Sequence, residues 1–211
     1  MGIRADKREA LRRQLKSAAR KRIAQHGLSS LRARDLASDV DRPVGSIYTA
    51  FKDLDDLILH VNADTMKELG SALSSPVENK DSKSAITALS IGYARFATEN
   101  QNLWAALFEH KMPDGGPSPA WVLNHHSGLL DRLVQALRMM DPMAEPSLLE
   151  RRAKTYFTAV HGVVTMSLQN RFLGVPRESL VEEITALVGV ILAGLDASLV
   201  KKEQSGNGVK N

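Results

Sequence analysis

The sequence predicts an all-α fold, with an N-terminal three-helix domain built on a helix-turn-helix and a C-terminal helical bundle. Three observations predict it. Apolar residues recur at helical spacing along almost every segment, and strand-like alternation is nearly absent. A polar stretch, 74–84, separates two such regions. Positive charge gathers at one end: residues 1–53 hold 13 Lys and Arg against 6 Asp and Glu, and the remainder holds 15 against 18. Such asymmetry marks a partner-binding end, most often for nucleic acid.

The first helix is predicted over 6–26, where Leu11, Leu15, Ala19 and Ile23 recur every four residues beside Ala18. Gly27 then stops it as a left-handed C-cap. Leu31 opens a second helix whose inner face is Ala33, Leu36, Ala37 and Val40. Asp41, Arg42 and Pro43 form the turn; proline suits the start of a helix because its missing N–H has no partner there anyway. The third helix is short, 43–50, and Phe51 follows it. Asp53 is a good N-cap for a connecting helix over 54–73, marked by Leu54, Leu57, Ile58, Val61, Met66, Leu69 and Leu73.

Beyond the linker, a second domain over 84–200 contains four or five helices. Ile86, Leu89, Tyr93 and Phe96 mark one, and 102–110 is a short one. The Pro- and Gly-rich 113–119 is a loop. Long helices follow over 121–140, 148–173 and 178–200, the second ended by Gly174, Val175 and Pro176. The polar, glycine-containing tail 201–211 is predicted to be frayed and disordered.

Composition excludes several classes. Without cysteine there are neither disulfides nor thiolate metal sites. The first 22 residues are charged throughout and lack the apolar core of a signal peptide. The longest apolar run, 184–195, is too short to span a bilayer. A cytoplasmic protein without a membrane partner is expected. No nucleophile–base pair, phosphate-binding glycine loop or paired-carboxylate motif stands out, so an enzyme is not expected and no cofactor is implied.

Reading a major groove needs a helix presented end-on and held by a second helix packed across it. The third predicted helix meets that need. Ile47 and Phe51, four apart, anchor it inward and leave Val44, Gly45, Ser46, Tyr48 and Thr49 outside, with Pro43 at its start. Gly45 lets the backbone approach a duplex, and the Tyr48 hydroxyl can donate to a phosphate. Arg34 can reach a guanine edge in bidentate fashion, while Arg32, Arg42 and Lys52 can meet phosphates.

At these residues the chain resembles the tetracycline-repressor (TetR) family of bacterial transcriptional regulators. The family segment runs Ile-Ala, a spacer, Gly, Thr or Ser, Leu or Ile, Tyr, two residues, Phe, then an acidic stretch ending in Leu. Here those positions are Leu36-Ala37, Gly45-Ser46-Ile47-Tyr48, Phe51 and 53–57. The resemblance covers the first 60 residues or so. Four positions depart from it. Asp41 stands where the family has Gly, and Arg42 where it has a small apolar residue. Arg32 replaces the usual Ser or Thr cap of the second helix, which leaves the cap to Ser29 or Ser30. Leu54 replaces a phosphate-binding Lys.

The resemblance implies a homodimer that binds a double-stranded DNA operator and a small-molecule inducer, most simply a repressor released by that inducer. The residues offer separate support. In 178–200, Ile184, Leu187, Val188, Ile191, Leu192 and Leu195 form an apolar face, and Gly189, Ala193 and Ala197 form a ridge of small residues that permits close approach of a second helix. A pocket is mostly apolar with a few polar groups; candidates are Tyr93, Phe96, Trp104, Phe108, Trp121, His125, Tyr156, His161 and Met166. Phe157, Val160, His161 and Gly162 resemble an aromatic-xxx-His-Gly signature of some C-terminal domains in the family. His110, His125, His126 and His161, with Glu109, raise a metal-responsive alternative, but no two histidines sit at i, i+4 and no metal is expected. A second alternative is an all-α small-molecule binder without operator specificity, given Asp41, Arg42 and Leu54.

Overall fold

The computed structural model describes residues 2–74, 81–113, 115, 116, 119–169 and 172–207, and within these not the side chains of 3, 120, 123–127 and 196–207. Among the described residues all regular structure is helical: α1 (Ile3–His26), α2 (Ala33–Asp39), α3 (Gly45–Ala50), α4 (Leu54–Ala72), α5 (Ser82–Glu99), α6 (Gln101–Glu109), α7 (Ala120–Met140), α8 (Pro146–Leu168) and α9 (Leu180–Asn207). Two 3₁₀ turns, Leu28–Ser30 and Arg177–Ser179, lead into α2 and α9. The chain divides into two compact units: Met1–Leu69 with Glu99–His126, and Gly70–Thr98 with Ser127–Asn211.

The first unit is built on α1. Leu15, Ala19 and Ile23 lie wholly buried on one face of it, against Leu36 of α2, Ile47 and Ala50 of α3, Phe51, and Leu57, Ile58 and Val61 of α4. Burying a side chain of this size contributes roughly 1.5–3 kcal/mol. Leu103 and Ala106 of α6 join the same core. The sequence predicts all of 84–200 to be one domain; α6 instead packs with the first unit, because its apolar positions meet the core of α1 and α4. The buried Asn62 amide on α4 also donates to the Ala106 carbonyl at 3.1 Å.

A second face of α1 is polar and pairs with α4 at every turn. Arg12, Lys16 and Arg20 meet His60, Asp64 and Glu68, at 2.9, 2.8 and 2.7 Å. The four-residue step on both helices makes this a ladder, since residues i and i+4 share a helix face. Several of the basic charges counted in 1–53 are therefore engaged inside the unit.

The helix ends show what stops each one. Gly27 has φ 79° and ψ 169°, a region open essentially to glycine alone. The left-handed cap predicted there is not formed; the chain extends at once into the 3₁₀ turn, and Ser30 Oγ donates to the Gly27 carbonyl at 2.7 Å. Neither Ser29 nor Ser30 caps α2: its N-cap is Arg32, with no side-chain bond. The Asp53 cap is formed, its carboxylate accepting from the Asp56 N–H at 2.7 Å. α8 begins with Pro146 in its first turn and ends at Leu168, before the predicted 173; Gly174 then passes so close to the backbone of Met166 that a Cβ would lie 2.4 Å from its carbonyl oxygen. α9 continues to Asn207, past the predicted end at 200, because 201–204 (Lys, Lys, Glu, Gln) are good helix formers. Residues 208–211 lie outside the described residues.

In the second unit α5, α7, α8 and α9 enclose an apolar core. Tyr93, Leu149, Leu168, Leu180 and Ile184 are its most deeply buried large side chains. Arg132 of α7 donates to the Gly70 carbonyl and to Ser74 Oγ, both at 2.7 Å, and so satisfies the open C-terminal end of α4.

Candidate functional site

The α2–turn–α3 segment is shaped by its turn. The Arg42 N–H donates to the Ala37 carbonyl at 2.9 Å and the Asp41 N–H to Ser38 at 3.1 Å. These are the two bonds of a Schellman motif, and the residue between them takes positive φ. Here that residue is Asp41, at φ 51°, the one described non-glycine residue in this region. The turn thus forms without the family's glycine, because aspartate tolerates left-handed backbone better than most residues.

Pro43 then opens the next helix, its carbonyl accepting the Ser46 N–H at 2.9 Å. α3 has only six residues, yet it is held on its inner face and at its C-terminal end. Ile47 is fully buried and Ala50 nearly so. Arg12 of α1 donates to the Ala50 carbonyl, closing the C-terminal end of α3, while its guanidinium lies 4.3 Å from the centre of the Phe51 ring. Arg22 of α1 grips the Asp39 carboxylate at the end of α2 through two nitrogens, and these bonds hold that carboxyl below its usual pKa. A helix of this length is marginal alone; its order comes from these attachments.

The outer surface is then what the fold leaves over. Arg32, Arg34, Arg42, Pro43, Val44, Gly45, Tyr48, Thr49 and Lys52 are exposed, and Ser46 is half-buried. Tyr48 is 60% exposed beside the buried Ile47, which makes it the most prominent apolar group of α3. Thr49 is tied to its own helix through the Gly45 carbonyl at 3.3 Å. Among the described residues nothing beyond its own stretch of helix lies within 4 Å of a Cβ built on Gly45, so the fold itself does not require glycine there.

The predicted ligand residues fall in two groups. Tyr93 and Tyr156 line an apolar cavity in the second unit, with Ile86, Leu89 and Ser90 of α5, Leu129, Leu130 and Leu133 of α7, Phe157 and Val160 of α8, and Val188 and Ile191 of α9. Its void is about 30 Å³, near the size of one water. His161 adjoins it through Tyr93, whose hydroxyl lies 2.7 Å from His161 Nδ1. Burial pushes the His161 pKa down. Phe96 and Met166 belong to this unit but do not line the cavity. Trp104, Phe108 and Trp121 belong to the first unit: Trp104 and Phe108 pack on each other at 5.4 Å, and Trp121 stacks on His60 at 4.6 Å. They lie around α4 and α6 rather than at this cavity, Trp104 buried and Phe108 and Trp121 exposed. The His125 side chain lies outside the described residues.

On α9, Ile184, Val188, Leu192 and Leu195 are buried in their own subunit, and Ile191 is half-buried at the cavity. The predicted apolar stripe is therefore the seam to the rest of the bundle. Gly189 and Ala193 lie on the opposite face, exposed, with Ala186, Gly194 and the 72% exposed Val190. The side chain of Ala197 lies outside the described residues. Among the described residues no three His, Asp or Glu side chains come together as a metal site; His110 pairs with Asp55 at 2.9 Å. No described helix is long and apolar enough to cross a membrane.

Residues 86–188 match the family described as the tetracyclin repressor-like C-terminal domain. Solved structures share the fold of the chain. A protein of unknown function from a Rhodococcus species is 22% identical with a TM-score of 0.68, over 84% of this chain and 93% of its own. The TetR-family transcriptional regulator PfmR from Thermus thermophilus is 17% identical with a TM-score of 0.62, over 86% and 97%. The fatty acid degradation regulator FadR from Bacillus halodurans is 18% identical with a TM-score of 0.63, over 84% and 93%. No curated protein matches the sequence. Residues 86–188 are thus similar to a TetR-family C-terminal domain, and the fold is shared with a TetR-family regulator.

Proposed function

We propose that this chain is a homodimeric repressor that binds operator DNA through α2 and α3 and is released by a small molecule entering the cavity between α5, α7, α8 and α9. The observation that carries it is α3 itself: six residues clamped by Arg12, Ile47 and Ala50 on the inside, with Tyr48 and the start of the helix left open outside. A core does not require that arrangement, whereas a major groove does. Arg32, Arg34, Arg42 and Lys52 flank the helix as phosphate and base contacts, and residues 1–53 form the reading head. The exposed ridge at Gly189 and Ala193 is the dimer face, which supplies the second reading head that a two-half-site operator needs. α4 and α7 each have residues in both units. They are the elements through which an inducer preferring one conformation would shift the other. Such a regulator acts in the cytoplasm, where the DNA is.

The test is fluorescence anisotropy on the DNA flanking the chain's own gene. Wild type should bind that DNA in preference to random duplex, with affinity falling steeply as salt rises because phosphate contacts release counterions. Tyr48→Ala should weaken binding about tenfold or more, the order of one good groove contact, at an unchanged melting temperature. Equal affinity for random duplex would favour the reading without operator specificity.

A further inference from the structure

The inducer reading leaves the chemistry of the ligand open, and the lining of the cavity narrows it. Among the described residues, twelve from four helices line it, and none of these is a Lys, Arg, Asp, Glu or His. Ser90 donates its hydroxyl to the Ile86 carbonyl at 2.9 Å, so that donor is engaged. The Tyr93 hydroxyl lies 2.7 Å from His161 Nδ1, and His161 Nε2 lies 3.3 Å from Thr165 Oγ1. What remains among the described residues are aliphatic side chains, the Phe157 ring, the faces of two phenol rings and the Tyr156 hydroxyl, an uncharged group. A charged ligand group placed there would lose its hydration without gaining a counter-ion, at a cost of several kcal/mol.

We propose that the cavity takes an uncharged, predominantly hydrocarbon molecule and excludes organic anions and cations. This rests on the reading of the cavity as the inducer site. Burial holds His161 toward its neutral form, so this adjoining ring does not supply the missing positive charge. The void of about 30 Å³ is too small for such a ligand as it stands. Leu129, Leu130, Tyr156 and Ile191, all half-buried at its rim, are the side chains that can give way. A wall of Leu and Ile yields at a lower cost than a hydrogen-bonded one, because no polar partner is left open.

Two dyes with nearly the same ring skeleton separate the outcomes. N-phenyl-1-naphthylamine is uncharged; 8-anilino-1-naphthalenesulfonate carries a sulfonate. Titrated into the full chain without DNA, the neutral dye should show saturable fluorescence enhancement and bind at least about tenfold tighter than the sulfonate, a ratio equivalent to about 1.4 kcal/mol. Leu130→Trp, which fills the cavity from its half-buried rim, should weaken the neutral dye by a similar factor; its circular dichroism and melting curve show that it is folded. Should Leu130→Trp unfold, Ile191→Phe fills the same space from α9. Equal affinity for both dyes, a preference for the sulfonate, or neutral-dye binding untouched in a folded cavity-filled variant would each overturn the proposal. The mobility of the operator complex is read separately. If the neutral dye binds as expected but never releases DNA, the ligand chemistry stands and the inducer reading fails. If a charged compound releases DNA through this cavity, the inducer reading stands and the ligand chemistry fails.

Discussion

Arg12 of α1 holds His60 of α4 at 2.9 Å with one guanidinium nitrogen while another reaches the Ala50 carbonyl at the end of α3. One side chain thus fixes the short outer helix to the helix that follows it. Its third contact is the Phe51 ring, 4.3 Å away, and Phe51 in turn packs on His60.

Replacing Arg12 with Met keeps the apolar stem and removes the donors. The Ala50 carbonyl would be left without its side-chain donor, and the expected loss is about 1–3 kcal/mol, the cost of leaving a shielded polar group unmatched. Urea unfolding measures it. Because α3 is attached through this contact, DNA affinity should fall as well. A variant of unchanged stability and DNA affinity would show that Ile47 and Ala50 suffice to hold α3.

How much of this was legible in the sequence follows from what each signal encodes. The spacing of Leu15, Ala19 and Ile23 is a local property, and α1 lies where that spacing puts it. The Asp53 cap is equally local. The ladder between α1 and α4 was not legible: Lys16 and Arg20 read as free basic charge, because a partner 48 residues away leaves no mark on the sequence. Trp104, Phe108 and Trp121 look like pocket aromatics for the same reason, and only packing assigns them to the first unit. In α9 both faces are rich in apolar or small residues, so periodicity alone cannot tell the seam with its own subunit from the outer face. Leu129, Leu130 and Leu133 lie within the long helix predicted over 121–140 with nothing local to single them out, yet together they form a cavity wall.

Asp41 gives a stability prediction of known sign. It occupies left-handed backbone at φ 51°, where glycine has no Cβ to oppose it. Asp41→Gly should therefore stabilise the folded chain by about 0.5–1 kcal/mol, the gain from strain relief exceeding the extra entropy lost by glycine. Asp41→Val should destabilise it, because β-branching worsens the clash. Chemical denaturation of the three proteins orders them Gly, Asp, Val. If Gly proves the least stable, the aspartate side chain contributes a local interaction larger than the strain.

Two half-buried imidazoles set a pH dependence. His161 is held below the ordinary value of 6.5 by burial. His60 is held below it by burial above all, with Arg12 and Lys16 adding to the effect against Asp56 and Asp64. Lowered folded values mean that the unfolded chain binds more protons near that pH. The stability these rings contribute is complete above about 6.5 and is lost as pH falls through that value towards their folded values. Melting temperature should drop between pH 7.5 and pH 5.5, roughly the window where histidine titrates, and His161→Gln should flatten part of the drop. A variant with the wild-type pH profile would assign the loss to other groups.

Gly189 tests the dimer face without disturbing the subunit. Among the described residues nothing beyond its own stretch of helix lies within 4 Å of a Cβ built there, so a larger side chain projects into solvent in an isolated subunit. Across a close helix pair it would meet the partner, since small residues are what permit such approach. Gly189→Leu should keep its helical content and shift sedimentation from dimer towards monomer, weakening association by about tenfold or more, the range of overpacking costs of 1–3 kcal/mol. DNA affinity should fall with it, because two linked reading heads bind far more tightly than either alone. A folded variant that sediments as an unperturbed dimer would place the interface on a different face of the bundle.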